Sequence, residues 1–171
     1  MTSSNRLEIV KDLPNKKIIV TRDFEAPMEE VWRAWTERES LDKWWAPKPW
    51  KAATKFLDFS EGGYWLYAMV GPDDSKHWCR VDFKKIDTHK SFLATDLFCD
   101  EDGNPTMEFP GMNWKNEFLA TDQGTKVTVE ISFASISDLE KIVEMGFESG
   151  FTAGLSNLEL LLKNNAITAN S

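Results

Sequence analysis

The chain has 171 residues with 42% hydrophobic and 28% charged side chains, enough for one domain with a substantial core. Its formal net charge of −8 argues against a nucleic-acid backbone and against an anionic membrane surface, both of which call for a basic footprint. The first seventeen residues are polar and show no signal-like apolar run, and no stretch approaches a membrane span. Cys79 and Cys99 are too few for a disulfide framework and read as small buried hydrophobes, so a cytoplasmic location is expected.

In chain order, residues 1–16 read as an N-terminal extension, 17–165 as one domain and 166–171 as a tail. Lys17 to Glu25 carries β-branched residues and predicts a first strand. Met28, Val31, Trp32 and Trp35 have the spacing of one helix face over 28–36, with Pro27 beside the first turn. A second short helix follows from Ser40 to Trp45 and stops at Ala46-Pro47. Strands are predicted near 52–59, 63–71, 77–87, 91–99, 113–121 and 124–134, separated by short turn-forming segments such as Gly71-Pro72-Asp73-Asp74 and Asp102-Gly103-Asn104. Such short connections favour antiparallel hairpins. Ser137, as N-cap, opens a last helix running to about Lys163, with Leu139, Val143, Phe147, Leu158 and Leu161 on one stripe. The class is α+β: about seven strands curling around one long amphipathic helix.

Several motifs resemble those of a known family, the activator-of-heat-shock-protein-ATPase homologues of the SRPBCC (START-like) superfamily. They are Val31-Trp32-Arg33-Ala34-Trp35-Thr36 with Leu41 and Trp44-Trp45-Ala46-Pro47, then Asp58-Phe59-Ser60-Glu61-Gly62-Gly63 leading to Gly71-Pro72-Asp73. Asp96-Leu97-Phe98-Cys99-Asp100-Glu101-Asp102-Gly103-Asn104 resembles the strand and turn of bacterial members. Glu144-Met145-Gly146-Phe147 and Gly150-Phe151, followed by Leu155 and Leu158, resemble their final helix. The resemblance spans roughly residues 17–163 and implies a helix-grip fold with a cavity between helix and sheet, in a bacterial stand-alone domain. The domain that accompanies this one in eukaryotic co-chaperones is not expected here, so the co-chaperone name is not carried over as a function.

Trp32 and Trp35 read as core packing, whereas Trp45 and Trp50, flanking Pro47 and Pro49, fit either core or the mouth of a cavity. Trp65, Tyr67 and Met69 alternate and share a strand face. The resemblance favours that face as interior, and the apolar face of Tyr64, Leu66, Ala68 and Val70 would then need a cover, a second subunit of a homodimer being one. A hairpin around Thr88-His89 puts Arg80, Asp82 and Asp96 on one face. That face reads as solvated, the alternative being a polar anchor inside the cavity.

Neither zinc spacing, nor a phosphate loop, nor a nucleophile elbow is present, which points away from an enzyme and calls for no cofactor and no metal. His77 is a lone acid–base candidate at a strand start. Gly146, Gly150 and Gly154 recur every four residues of the last helix, at a cost that calls for a reason. The implied cavity supplies one: missing side chains leave space. The expected function is to bind a small hydrophobic molecule, aromatic or lipid-like, among Trp65, Tyr67, Met69, Trp114, Val143, Phe147, Gly150, Phe151 and Gly154. A polyketide cyclase/dehydratase-like enzyme and a co-chaperone-like protein-interaction module are the alternatives.

Overall fold

The computed structural model describes residues 7–106 and 111–169, with side chains through residue 164. Eight strands form one antiparallel sheet: β1 (Leu7–Asp12), β2 (Lys17–Phe24), β3 (Lys51–Leu57), β4 (Tyr64–Val70), β5 (Lys76–Asp87), β6 (Ser91–Cys99), β7 (Met112–Thr121) and β8 (Gly124–Ser132). Their spatial order is β1-β2-β8-β7-β6-β5-β4-β3, so every consecutive pair from β3 to β8 is a hairpin neighbour. Helices α1 (Met28–Thr36) and α2 (Arg38–Trp44) carry the chain from β2 to the far edge at β3. The segment read as an extension supplies β1, which pairs with β2 along its whole length and makes the strand count eight rather than about seven.

The alternation in β2 (Ile18, Val20 and Phe24 buried) and in β8 (Val127, Val129 and Ile131 buried) builds the inner sheet face. Against it, α1 buries Val31, Trp32 and Trp35. Trp32 meets Phe59, Phe92 and Phe118 edge-on at 5.1–5.9 Å between ring centres. Trp44 is fully buried and its indole N–H donates to the Ala34 carbonyl at 2.8 Å, which fixes α2 against α1.

The last helix is two helices, α3 (Ile136–Glu144) and α4 (Phe147–Ala169), so α4 runs on through most of the segment read as a tail. The N-cap of α3 is Ser135, not Ser137: the Ser135 side chain accepts from the Asp138 N–H at 3.1 Å. The break falls at Gly146, whose φ of +91° lies in the left-handed region that ends helices at low cost only for glycine. From there α4 descends onto the sheet, burying Leu155, Leu158 and Leu162. The buried Arg22 of β2 holds Glu159 of α4 at 2.6 Å.

The remaining two glycines of the strip differ in kind. A Cβ at Gly154 would lie 3.2 Å from the Trp45 carbonyl oxygen and 3.3 Å from that of Trp44, so this glycine permits close backbone approach and does not face a void. One turn later, Asn157 Nδ2 donates to the Ala46 carbonyl at 3.1 Å and to that of Trp44 at 3.4 Å. A Cβ at Gly150 meets only Pro47 Cγ, at 3.9 Å, an ordinary contact. Gly150→Ala is therefore expected to gain about 0.5–1 kcal/mol from helix propensity. Gly154→Ala is expected to lose about 1 kcal/mol net, because overpacking against main-chain carbonyls exceeds that gain. Urea denaturation of the two variants measures both; a gain for each would show that α4 has room to shift.

Candidate binding cavity

Where α4 leaves Gly146, its first turns stand off from the sheet over Tyr67, Cys79, Asp96, Met112 and Trp114, leaving a partly open cavity of about 210 Å³. Phe147, Gly150 and Phe151 form its helix side, and Trp45 with Pro47 closes it from the segment after α2. Trp45 Nε1 donates to Tyr67 Oη at 2.8 Å, and Tyr67 stacks on Trp65 at 4.0 Å, so the aromatic wall is cross-braced. Deeper in lies a void of about 30 Å³ lined by residues including Trp35, Trp65, Ala94 and Asn116. Trp45, Asp96 and Trp114 border both spaces.

Six of the nine residues expected from the sequence line the larger cavity: Tyr67, Met69, Trp114, Phe147, Gly150 and Phe151. Trp65 lines the small void and supports Tyr67 from behind, its indole N–H bonded to Thr54 Oγ1 at 3.0 Å. Val143, half-buried on α3, lines neither space, because the break at Gly146 takes α3 off the axis of α4. Gly154 lines neither, being pressed against α2. Of the tryptophans left open by sequence, Trp45 is in the wall, and Trp50 lies outside it beside the His77 ring at 5.6 Å. His77 itself is exposed.

The expectation for Asp96 is reversed. Arg80 and Asp82 do sit on the outer face, joined at 2.9 Å, with Arg80 over the Tyr64 ring at 4.2 Å. Asp96, however, opposes Val81 and points inward with Cys79. The cause is a register shift between Phe83 and Lys85. The register nearest the turn (Asp87 with Ser91, Ile86 with Phe92) would set Asp82 against Asp96, and the bulge moves the pairing by one residue. The apolar outer positions Leu66 and Ala68 are already buried within the chain, with the turn at Gly103 folded over Leu66 and bonded through its carbonyl to Arg80 Nη1 at 3.2 Å. Nothing on that part of the face requires a second subunit.

Around the two spaces the polar chemistry is incomplete. Asp96 is buried with no hydrogen-bond or ionic partner among the described residues, and burial raises its carboxyl pKa to about 7. Burial likewise raises the Tyr67 hydroxyl and the Cys79 thiol, so both stay neutral beside it. Trp35 Nε1, Trp114 Nε1 and Asn116 Oδ1 are buried without partners among the described residues, and all three side chains line the small void. The described residues hold no group of three or more His, Cys, Asp or Glu arranged for a metal, and no helix among them is long and apolar enough to cross a membrane.

An antiparallel sheet gripping a C-terminal helix, with a cavity between them, defines a START-like helix-grip protein. Residues 25–163 match the family model described as "Activator of Hsp90 ATPase homolog 1-like protein", and the chain belongs to that family of the SRPBCC superfamily. Among solved structures it is similar to protein Ms6760 from Mycobacterium smegmatis, with 28% identity over 92% of this chain and 97% of that one and a TM-score of 0.84. A protein from Arthrobacter aurescens is 27% identical over 92% and 91% of the two chains, with a TM-score of 0.87. One from Staphylococcus epidermidis is 28% identical over 92% and 94%, with a TM-score of 0.81. No functionally curated protein matches.

A carboxyl whose folded-state pKa lies above its unfolded value binds more protons when folded, so stability falls as pH rises from about 4 to about 7. The raised pKa corresponds to about 4 kcal/mol at most once Asp96 is fully ionised. Asp96→Asn keeps the shape and removes the ionisation. Chemical denaturation should show the variant more stable than the parent at pH 8, with the difference shrinking toward pH 4. A pH-independent difference would mean that Asp96 is solvated.

Proposed function

We propose that this protein binds a small hydrophobic molecule, aromatic or lipid-like, in the cavity between α4 and the sheet, and does so in the cytoplasm. The observation that carries this is the cavity itself: about 210 Å³ walled by Trp45, Tyr67, Phe98, Trp114, Phe147 and Phe151. A dry cavity of about 150 Å³ already accepts benzene, so this one has room for a ring system with a substituent. Gly150 keeps that room open, since its position meets no atom closer than 3.9 Å. The aromatic walls supply apolar area and flat faces for a planar ligand.

A second reading, an enzyme of the polyketide cyclase/dehydratase kind, gains from Asp96. An ionisable group inside the cavity is what that reading requires, and a carboxyl titrating near 7 is matched to proton transfer at neutral pH. Binding is common to both readings and is the step to test first.

Naphthalene-sized probes test it: 2-naphthalenemethanol, 2-naphthylmethylamine and 2-naphthoate. At least one should bind saturably and one-to-one by calorimetry, with a change in tryptophan emission. Gly150→Leu, whose side chain enters the cavity, should unfold as cooperatively as the parent and lose at least about tenfold in affinity, since roughly 1.4 kcal/mol of lost contact suffices. Failure of all three probes to bind would overturn the reading.

A further inference from the structure

Resting on the cavity reading above, we propose that the site selects an organic cation, an aromatic amine whose ammonium pairs with Asp96 while its ring lies among the aromatic walls. Four features converge on this. Asp96 borders both the larger cavity and the small void, is nine-tenths buried, and has no partner among the described residues. A buried carboxylate is stable in its ionised form only when something pairs with it, and among the described residues no Lys, Arg or His lines either space. The missing positive charge is left for the ligand to bring.

The walls fit the same chemistry. Aromatic ring faces carry negative charge density and attract ammonium groups, most strongly where water is excluded, and tryptophan does so best. Trp45 and Trp114 border the same two spaces as Asp96. Asn116 Oδ1, an acceptor without a partner among the described residues, belongs to a side chain lining the small void and suits an N–H donor. The net charge of −8 raises the local concentration of cations and disfavours anionic ligands.

Among the described residues lining the two spaces, the other titratable side chains are Tyr67 from β4 and Cys79 from β5, both held neutral by burial. From β7, from α4 and from the segment after α2, the described lining residues are aromatic, methionine, asparagine, proline or glycine. Asp96 is thus the group whose ionisation controls the charge of the site. Its carboxyl, titrating near 7 in the free protein, must lose its proton before it can pair with an ammonium.

Matched probes isolate the charge. 2-Naphthylmethylamine, a cation up to about pH 8, and the neutral 2-naphthalenemethanol differ little in shape. At pH 8 the amine should bind at least about tenfold tighter than the alcohol, and 2-naphthoate weakest of the three. Between pH 8 and pH 5.5 amine binding should weaken by about tenfold or more, while the alcohol stays within about twofold, because only the amine depends on ionised Asp96. Asp96→Asn should remove both the preference for the amine and its pH dependence, with folding checked by thermal unfolding. The parent protein's pH profile tests the same point should the variant fail to fold. Equal affinity of amine and alcohol at pH 8, or an affinity for the alcohol that rises toward low pH, would overturn the proposal and leave the cavity reading standing. Failure of every probe would overturn both.

Discussion

The fold turns on where α4 is held. At Gly154 its backbone meets the Trp44 and Trp45 carbonyls, Asn157 ties it to Ala46, and Glu159 anchors it to the buried Arg22. These contacts lie within two turns of helix, on the half that buries Leu155, Leu158 and Leu162. The opposite half is positioned by the left-handed residue Gly146 and carries Phe147, Gly150 and Phe151. A rigid helix pinned at one end and started at an angle at the other cannot close the space between. The cavity is a consequence of that geometry, and not of a missing side chain alone.

The same contacts explain why the wall is aromatic and ordered. Docking α4 on the end of α2 sets Trp44 in the core and leaves Trp45, the next residue, turned toward the sheet. There its indole reaches Tyr67, which Trp65 backs by stacking. Each ring is thereby held by a hydrogen bond or by another ring, so the wall resists collapsing into the space it borders. Preorganisation of this kind lowers the ordering cost that a ligand would otherwise meet.

Much of this was legible in the sequence, and the exceptions have physical causes. Periodicity marked α1 through Met28, Val31, Trp32 and Trp35, and turn chemistry separated β3 to β8, because those signals are local. The face of Asp96 was not legible: one extra residue between Phe83 and Lys85 inverts the parity of the hairpin, and neither residue type announces a bulge. Phe98 was missed for the same reason, entering the wall as the register partner of Cys79, whereas Met112 lies just before the strand predicted at 113–121 and shares the face of Trp114. The regular spacing of Gly146, Gly150 and Gly154 suggested one role, yet the three positions serve as a helix break, an open wall and a close contact. Spacing shows that three residues share a helical stripe; what each one faces depends on the partner surface.

Within this frame Asp96 is the point where local stability and global architecture conflict. An apolar residue there would pack with Val81, Ala94 and Trp114 without desolvating a charge. The chain instead keeps a carboxyl at the border of its two internal spaces, near three further polar side chains whose buried atoms lack partners among the described residues. In a core otherwise consistent from propensity to packing, such a breach marks a functional position more often than a defect. The outer face supports this, because there Arg80 and Asp82 satisfy each other and Gly103 completes the arrangement. The two carboxylates of this hairpin thus differ: Asp82 is paired on the outer face, whereas Asp96, facing inward, has no partner among the described residues.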